Sequence, residues 1–153
     1  MDGEPRGRFA DRIHEVDVAT LNIEIGSAEG QQVLECLVGL AALRVWKDLW
    51  LSRRASVSFR GDNVTLLTMV SRLSGLSPGV NAVTREAALL FAEANYRPVG
   101  AEHSLGVANA IADALSRRFQ HGVDSNWLPP AALREISETV LPRRDASWYL
   151  AAN

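Results

Sequence analysis

The sequence has little cysteine and no long apolar run, and each shortage excludes a class of protein. Cys36 is the single cysteine among 153 residues, so no internal disulfide framework holds the fold. The first residues do not show the basic region, apolar region and cleavage site of a secretory signal, so we do not expect one. The most apolar stretch, Val33 to Val45, is interrupted by Glu35 and Arg44 and is shorter than the roughly 20 residues of a membrane span. We therefore expect an intracellular protein, in the cytoplasm or nucleus, that does not contact a membrane.

The chain also lacks a strong excess of either charge. Its 16 basic and 18 acidic residues give a net charge of -2, so no global positive field draws it onto a polyanion. Any contact with nucleic acid must be local. Lys47 is the only lysine, so the other basic residues are arginines. The planar guanidinium group of arginine suits phosphate binding, but a GC-rich genome also enriches arginine over lysine. The 47% hydrophobic content is enough for one globular domain with a core.

The first half of the chain predicts a strand, a helix and a second strand. Residues 1–17 show no periodicity and are expected to form a loose lead-in. Alternating apolar residues predict a strand over Val18 to Ile25, after which Ser27 is placed to cap a helix that runs to about Leu51. The alternation of Val57 and Phe59 predicts another strand over Ala55 to Gly61.

The second half predicts more helix and one further strand. Turn residues and helical spacing predict, in order, helices over about 63–73 and 80–96, a strand over 97–103, a helix over 107–119 and a short helix around 131–138. This order predicts an α/β domain over residues 18–119 whose later strands are parallel and whose sheet is covered by helices. Residues 120–153, rich in proline and tryptophan, are expected to form a tail.

Glu35 is the first candidate functional residue. On a helical wheel it shares a stripe with Val38, Ala42, Trp46 and Leu49, and we expect this stripe to face the sheet. A carboxylate there is costly to desolvate unless a cation or hydrogen bonds receive it. A glutamate at the end of a core, satisfied by the backbone or by arginine, is the structural alternative.

Asp62 and Asp113 are the other two candidates. Asp62 follows a strand that should be parallel, at the edge where open α/β sheets bind ligands; the alternative is that it caps the helix that begins near Asn63. Asp113 lies on the polar side of its helix, opposite a face of Ile111, Leu115 and Phe119 that we expect to be buried. By itself Asp113 is typical of a solvated surface.

A run of residues gives these three carboxylates a common interpretation. The segment His103–Arg117, HSLGVANAIADALSR, resembles the signature that closes the ribonuclease H domain of retrotransposon reverse transcriptases. Arg60–Asn63, RGDN, resembles the strand end of that family. The segment from Gln32 to Trp46 resembles its acidic helix. The resemblance covers residues 8–119 in family order and extends to the tail, with Trp127–Pro130 and Pro142–Arg144.

The resemblance implies a ribonuclease H-like mixed sheet and a two-metal hydrolysis of the RNA strand in RNA/DNA hybrids. In that family four carboxylates hold two Mg²⁺ (or Mn²⁺) ions, which activate water and stabilise the leaving oxygen. By this resemblance Glu35, Asp62 and Asp113 are three of the four catalytic and metal-binding residues. It further implies that nucleic acid is contacted by Arg60, Asn63, Asn109 and Arg117.

The sequence departs from the family at the fourth ligand. The family carries its first aspartate on an opening strand, followed by a hairpin, ahead of the acidic helix. Only 34 residues precede Glu35 here, and Asp2, Asp11 and Asp17 lack that context. We expect the opening strand to be absent, metal binding to be weak or lost, and cleavage to be impaired or lost. His103 does not match the family's flexible histidine and is expected to be structural.

Three interpretations of function stay open on the sequence. The first is a truncated or degenerate retroelement domain, either a decayed gene or a gene model that starts too late at Met1, whose intact parent would carry an upstream reverse-transcriptase domain. The second is a non-catalytic module that binds nucleic acid or protein, in which bases stack on Trp127 or Trp148 and phosphates contact Arg53, Arg54, Arg60, Arg117 and Arg118. The third is a helical interaction domain whose resemblance is accidental.

Overall fold

The computed structural model describes residues 7–53, 55–94, 99–104, 109–119, 122–123 and 127–150. Arg54 and Leu105–Ala108, to which the sequence analysis gave roles, lie outside this part, as do Asp2 and the first two residues of the strand predicted over 97–103. The chain divides into two compact units. The main unit comprises residues 13–105 and 144–153, and the smaller unit comprises residues 1–12 and 106–143.

The main unit begins with a helix where a strand was predicted. Helix α1 spans Glu15–Leu21 and ends at Asn22, which has a left-handed backbone with φ 50°. The strand predicted over Val18 to Ile25 is therefore wrong. Leu21 and Ile23 are buried as expected, but Ile25 is 61% exposed, so the three residues do not share one face of a strand. The expectation of a loose lead-in is also wrong at its end, because α1 includes Asp17, which is fully buried.

The long predicted helix is present as two helices. Ser27 caps α2, Ala28–Val45, by accepting a hydrogen bond from the Gly30 N–H at 2.9 Å, so the predicted cap is confirmed. The helix ends at Trp46, and a short helix α3 follows at Lys47–Trp50. Helix α2 packs against α4, Val64–Arg72, and α5, Pro78–Ala92. Its buried apolar residues are Val33, Cys36, Leu37, Leu40, Ala41 and Leu43.

A glycine permits the close approach at the start of α5. A Cβ atom on Gly79 would lie 2.7 Å from Val33 Cγ2 and 2.8 Å from the carbonyl oxygen of Leu21. Both distances are far below van der Waals contact, and the second involves backbone. Any larger residue would therefore push α5 away from α1 and α2.

Two parallel strands form the sheet in the described part of the main unit. Strand β1, Val57–Gly61, pairs with β2, Val99–His103, in a register that places Val57 opposite Val99 and Gly61 opposite His103. Helix α4 packs against both strands. The prediction that the chain is α/β with parallel later strands is confirmed. The predicted strand end at His103 is also correct, and the His103 side chain is exposed.

The smaller unit contains little regular structure in its described part. Arg8 forms a parallel bridge with Glu138, in which the Thr139 N–H donates to the Arg8 carbonyl at 2.7 Å. Helix α6 spans Ala110–Ser116 and continues into a 3₁₀ turn at Arg117–Phe119. The helix predicted around 131–138 is only a 3₁₀ turn at Ala131–Leu133.

The predicted buried face of α6 is wrong. Ile111 and Phe119 are 42% and 37% exposed, and no residue of α6 is buried.

The last described segment belongs to the main unit. Arg144–Leu150 includes a 3₁₀ turn at Ala146–Trp148, and both Trp148 and Tyr149 are buried. Part of the predicted tail is thus core structure. None of the described helices has the length and apolar character needed to cross a membrane.

Candidate functional site

Asp62 lies directly after β1, as the sequence predicted, and its side chain is exposed. The alternative role as a helix cap is wrong, because Asn63 is the N-cap of α4 and its side chain accepts a hydrogen bond from the Leu66 N–H at 2.8 Å. Asp62 therefore lies at the carboxyl end of a parallel strand, and the neighbouring Asn63 already provides the N-cap of α4. This is a position at which α/β sheets present ligand-binding groups.

Glu35 lies on α2 and is partly exposed. Its Oε1 atom accepts a hydrogen bond from Gln31 Nε2 at 3.1 Å. The expectation that its stripe faces the sheet is wrong, because Val38 and Leu49, which share that stripe, are 54% and 52% exposed. The core-facing side of α2 is the neighbouring one, which carries Cys36 and Leu40. Glu35 therefore needs no special partner to compensate for burial.

Asp113 lies on α6 in the smaller unit and is exposed. Its carboxylate forms an ion pair with Arg117 one helical turn later, with 3.0 Å between Oδ2 and Nε. Both side chains are more than half exposed, so this pair contributes little to stability. It does place a cation beside the carboxylate, and a metal ion would have to compete with that cation.

The described residues contain no group of three or more His, Cys, Asp or Glu side chains that could hold a metal ion. A two-metal site needs clustered acids that are oriented in advance. The sharing of Mg²⁺ or Mn²⁺ by Glu35, Asp62 and Asp113 stays a prediction.

The residues expected to contact nucleic acid have other partners. Arg60 Nε lies 2.9 Å from Glu102 Oε2 across the two strands, and both side chains are well exposed. Asn63 caps α4, and Arg117 is paired with Asp113. Asn109 occupies the N-cap position of α6 but makes no side-chain capping bond there. A phosphate would have to replace a carboxylate at each of the two arginines.

The two tryptophans proposed as stacking platforms differ. Trp148 is only 8% exposed, so its expected role in base stacking is wrong. Trp127 is partly exposed, and the guanidinium group of Arg118 lies 5.3 Å from its ring centre. The same guanidinium lies 5.1 Å from the Phe119 ring and contacts Glu138. An arginine that contacts two rings is typical of a structural cation–π cluster.

A buried charged cluster in the main unit was missed by the sequence analysis. Asp17 is fully buried, and the Arg144 Nε atom donates to both of its carboxylate oxygens, at 3.0 and 2.9 Å. Arg144 Nη2 lies 2.9 Å from Asp17 Oδ2. The Tyr149 hydroxyl donates to the same carboxylate, as does the His14 N–H at 2.9 Å. The carboxylate is therefore held by a full set of donors.

These contacts shift the pKa values of the cluster in opposite directions. Burial by itself would raise the pKa of Asp17, but the hydrogen bonds from Arg144, Tyr149 and His14 outweigh it and hold the pKa below its ordinary value. Burial and the hydrogen bond to Asp17 raise the pKa of the Tyr149 hydroxyl well above its usual range. Asp17 therefore stays ionised and Tyr149 stays protonated over the physiological pH range.

A second ion pair adjoins this cluster. Arg44 on α2 donates to Glu86 on α5 at 2.9 Å and to the carbonyl oxygen of Trp148 at 2.8 Å. Its guanidinium carbon lies 4.7 Å from the centre of the Trp148 ring, and that of Arg144 lies 5.9 Å away. Glu86 is 1% exposed. The burial of the Arg44 guanidinium lowers the pKa of Arg44, and the negative charge and hydrogen bond of Glu86 oppose that effect. Because the partners are 42 and 104 residues apart, no local pattern could have indicated them.

Comparison with models of protein families, with curated proteins and with solved structures finds no match to this chain.

Proposed function

We propose that this chain is a ribonuclease H-like domain derived from a retroelement, and that it does not cleave RNA/DNA hybrids. One observation carries the proposal. The RGDN motif at residues 60–63 ends a strand whose parallel neighbour ends at His103, where the HSLG motif begins. Gly61, which precedes Asp62, and His103, the first residue of the second motif, thus pair at the carboxyl ends of adjacent parallel strands, where α/β sheets bind ligands.

The element order gives further support. The acidic helix α2 precedes β1, helices α4 and α5 lie between the strands in sequence, and α6 follows β2 with Asp113 in its first turn. This is the order in which the resemblance places the three carboxylates.

Loss of cleavage is the second half of the proposal. Two-metal hydrolysis depends on acids held in place before the metal arrives. Glu35 accepts a hydrogen bond from Gln31, and Asp113 forms an ion pair with Arg117. Among the described residues, neither carboxylate belongs to a group of three or more His, Cys, Asp or Glu side chains that could hold a metal ion.

A cleavage assay tests the loss of activity. The RNA strand of an RNA/DNA hybrid is labelled and incubated with the full chain in Mg²⁺ and, separately, in Mn²⁺. We expect no product above the protein-free control. Product that disappears with Asp62→Asn but persists with Asp48→Asn, an exposed carboxylate on α3, would overturn the proposal that the domain is inactive.

Binding to the uncleaved hybrid tests the nucleic-acid role. We expect weak binding at low salt that disappears as salt is raised, since the net charge of the chain is negative and only local contacts are available. Arg60→Ala and Arg117→Ala should each reduce the slope of log binding constant against log salt concentration by about one, because each removes about one released counterion. No binding at low salt would remove nucleic acid as a partner and leave a protein-binding module on the same fold.

A further inference from the structure

We propose that Ser56 is a phosphorylation site for a basophilic serine/threonine protein kinase, a kinase that selects hydroxyl groups preceded by arginine. Ser56 lies in the segment that joins α3 to β1. The inference does not depend on the proposed function.

The sequence around Ser56 places charge where such a kinase recognises it. Residues 53–57 read RRASV, so the serine has arginines three and two positions before it and an apolar valine directly after it. Kinases of this class bind these arginines with carboxylates, and a planar guanidinium group pairs strongly with a carboxylate. Two adjacent arginines followed at this spacing by serine or threonine occur once in the chain. Arg54, which lies outside the described residues, contributes here only its position in the sequence.

Arg53 differs from the arginines of the other two Arg-Arg pairs. In those pairs, Arg118 forms an ion pair with Glu138, and Arg144 forms one with the buried Asp17. Arg53 is exposed, and among the described residues its side chain has neither a hydrogen bond nor an ion pair. Its guanidinium group is therefore available to the carboxylates of another protein.

Ser56 itself is accessible. Its side chain is exposed, residues 55–56 have no regular secondary structure, and β1 begins at Val57. Within the described part of the chain, the Ser56 hydroxyl makes no hydrogen bond. To extend this segment in a kinase cleft, the Ala55 N–H must leave the Trp50 carbonyl, 3.1 Å away, and the first residue of β1 must fray. Strand ends and exposed backbone bonds open at low cost.

Ser147 shows why the structure favours Ser56 over another serine that follows an arginine pair. Arg144 precedes Ser147 by three residues, but it is buried against Asp17. The Ser147 hydroxyl also donates to the Asp145 carboxylate at 2.5 Å. A kinase would have to break the buried ion pair before it could bind this arginine, so we expect Ser147 to stay unmodified.

The reaction transfers the γ-phosphoryl group of ATP to the Ser56 Oγ atom. The bond between Oγ and phosphorus forms as the bond between phosphorus and the ADP oxygen breaks, and the kinase accepts the hydroxyl proton. The phosphate adds a charge of about −1.5 to −2, which takes the net charge of the chain from −2 to about −4. Because the hydroxyl is exposed and makes no described bond, the modification changes the charge of this surface and leaves the fold intact.

A kinase assay on the folded full chain tests the proposal. The chain is incubated with ATP, Mg²⁺ and the catalytic subunit of cyclic-AMP-dependent protein kinase, and the product is mapped by mass spectrometry. We expect one phosphoryl group, on Ser56. Ser56→Ala should abolish its incorporation, whereas Ser58→Ala, an exposed serine on β1, should not. Arg53→Ala should lower kcat/KM at least about tenfold, because it removes a charge-assisted contact.

A peptide of residues 50–59 provides the unfolded reference. The folded chain should be phosphorylated at a rate within about tenfold of the peptide, since only a short segment has to open. The urea midpoints of the phosphorylated and unmodified chains should coincide. Modification of the peptide but not of the folded chain would overturn the proposal, because the structure would then hide the site. Modification of neither, modification at Ser147 instead, or an unchanged kcat/KM for Arg53→Ala would overturn it as well.

Discussion

The guanidinium group of Arg144 contacts both carboxylate oxygens of Asp17, although the two residues are 127 positions apart in the sequence. Both side chains are almost fully buried, and the Tyr149 hydroxyl donates to the same carboxylate. This contact joins the first helix of the main unit to its last segment. Several measurable properties of the protein depend on it.

Replacement of Asp17 by asparagine should strongly destabilise the chain. The variant leaves the Arg144 cation buried without its counter-charge, and loss of one partner of a buried ion pair costs about 3–5 kcal/mol. The free energy of unfolding, measured by urea denaturation, should fall by this amount. Asp48→Asn, which changes an exposed carboxylate, should stay within about 0.5 kcal/mol of the wild type. Equal effects of the two substitutions would contradict the importance of the pair.

Stability should depend on the charge of this cluster at both ends of the pH range. The pKa of Asp17 is lowered from 3.8, so its contribution is present above that pH and is lost as the pH falls through the lower folded-state value. The pKa of Tyr149 is raised from 10.0, so its contribution is present below pH 10 and is lost as the pH rises beyond it. We expect the stability difference between wild type and Asp17→Asn to shrink below pH 3.8. The difference between wild type and Tyr149→Phe should shrink above pH 10, and differences that do not vary with pH would refute this assignment.

Substitution at Gly79 tests the contact of α5 with α1 and α2. An alanine there would place its Cβ 2.7 Å from Val33 Cγ2 and 2.8 Å from the Leu21 carbonyl, and relief of such overpacking costs about 1–3 kcal/mol. Gly100→Ala in β2 is the matched control, because a Cβ there meets nothing within 4 Å. Thermal or urea unfolding should separate the two variants. A Gly79→Ala chain as stable as the control would mean that the helices do not approach this closely.

Two substitutions distinguish the capping role of Asn63 from the role of Asp62, which precedes it. Asn63→Ala removes the side chain that accepts the Leu66 N–H and should cost about 1 kcal/mol of stability. Asp62→Asn should change stability by less than about 0.5 kcal/mol, because its side chain is exposed and does not cap the helix. If Asp62→Asn were the more destabilising change, the assignment of the cap would be wrong.

Cys36 should react slowly in the native protein. Its side chain is fully buried on α2, and burial, together with the charge of Glu35, raises the pKa of the thiol from 9.0 to about 12. This shift lowers the thiolate population near neutral pH by about a thousandfold. Labelling with a thiol reagent should therefore require opening of the structure and should accelerate steeply with urea. Rapid labelling without denaturant would contradict the burial.

The residues at the candidate nucleic-acid site were partly predictable. The strand end before Asp62, the helical position of Glu35 and the helix that carries Asp113 follow from local patterns, and all three are present. Their partners were not predictable. Gln31, Asn63 and Arg117 each satisfy a nearby group, and only coordinates reveal which of several possible local bonds a polar side chain makes.

By itself the sequence determined features that depend on neighbours within a few positions: the cap Ser27, the two strands, and the extents of most helices in the main unit. Only the tertiary structure decided that residues 15–21 form a helix, which face of α2 is buried, and that Arg144–Leu150 returns to the core. The physical reason is that capping and alternation act along the chain. The burial of Asp17 becomes favourable only when Arg144 and Tyr149 arrive from more than a hundred residues away.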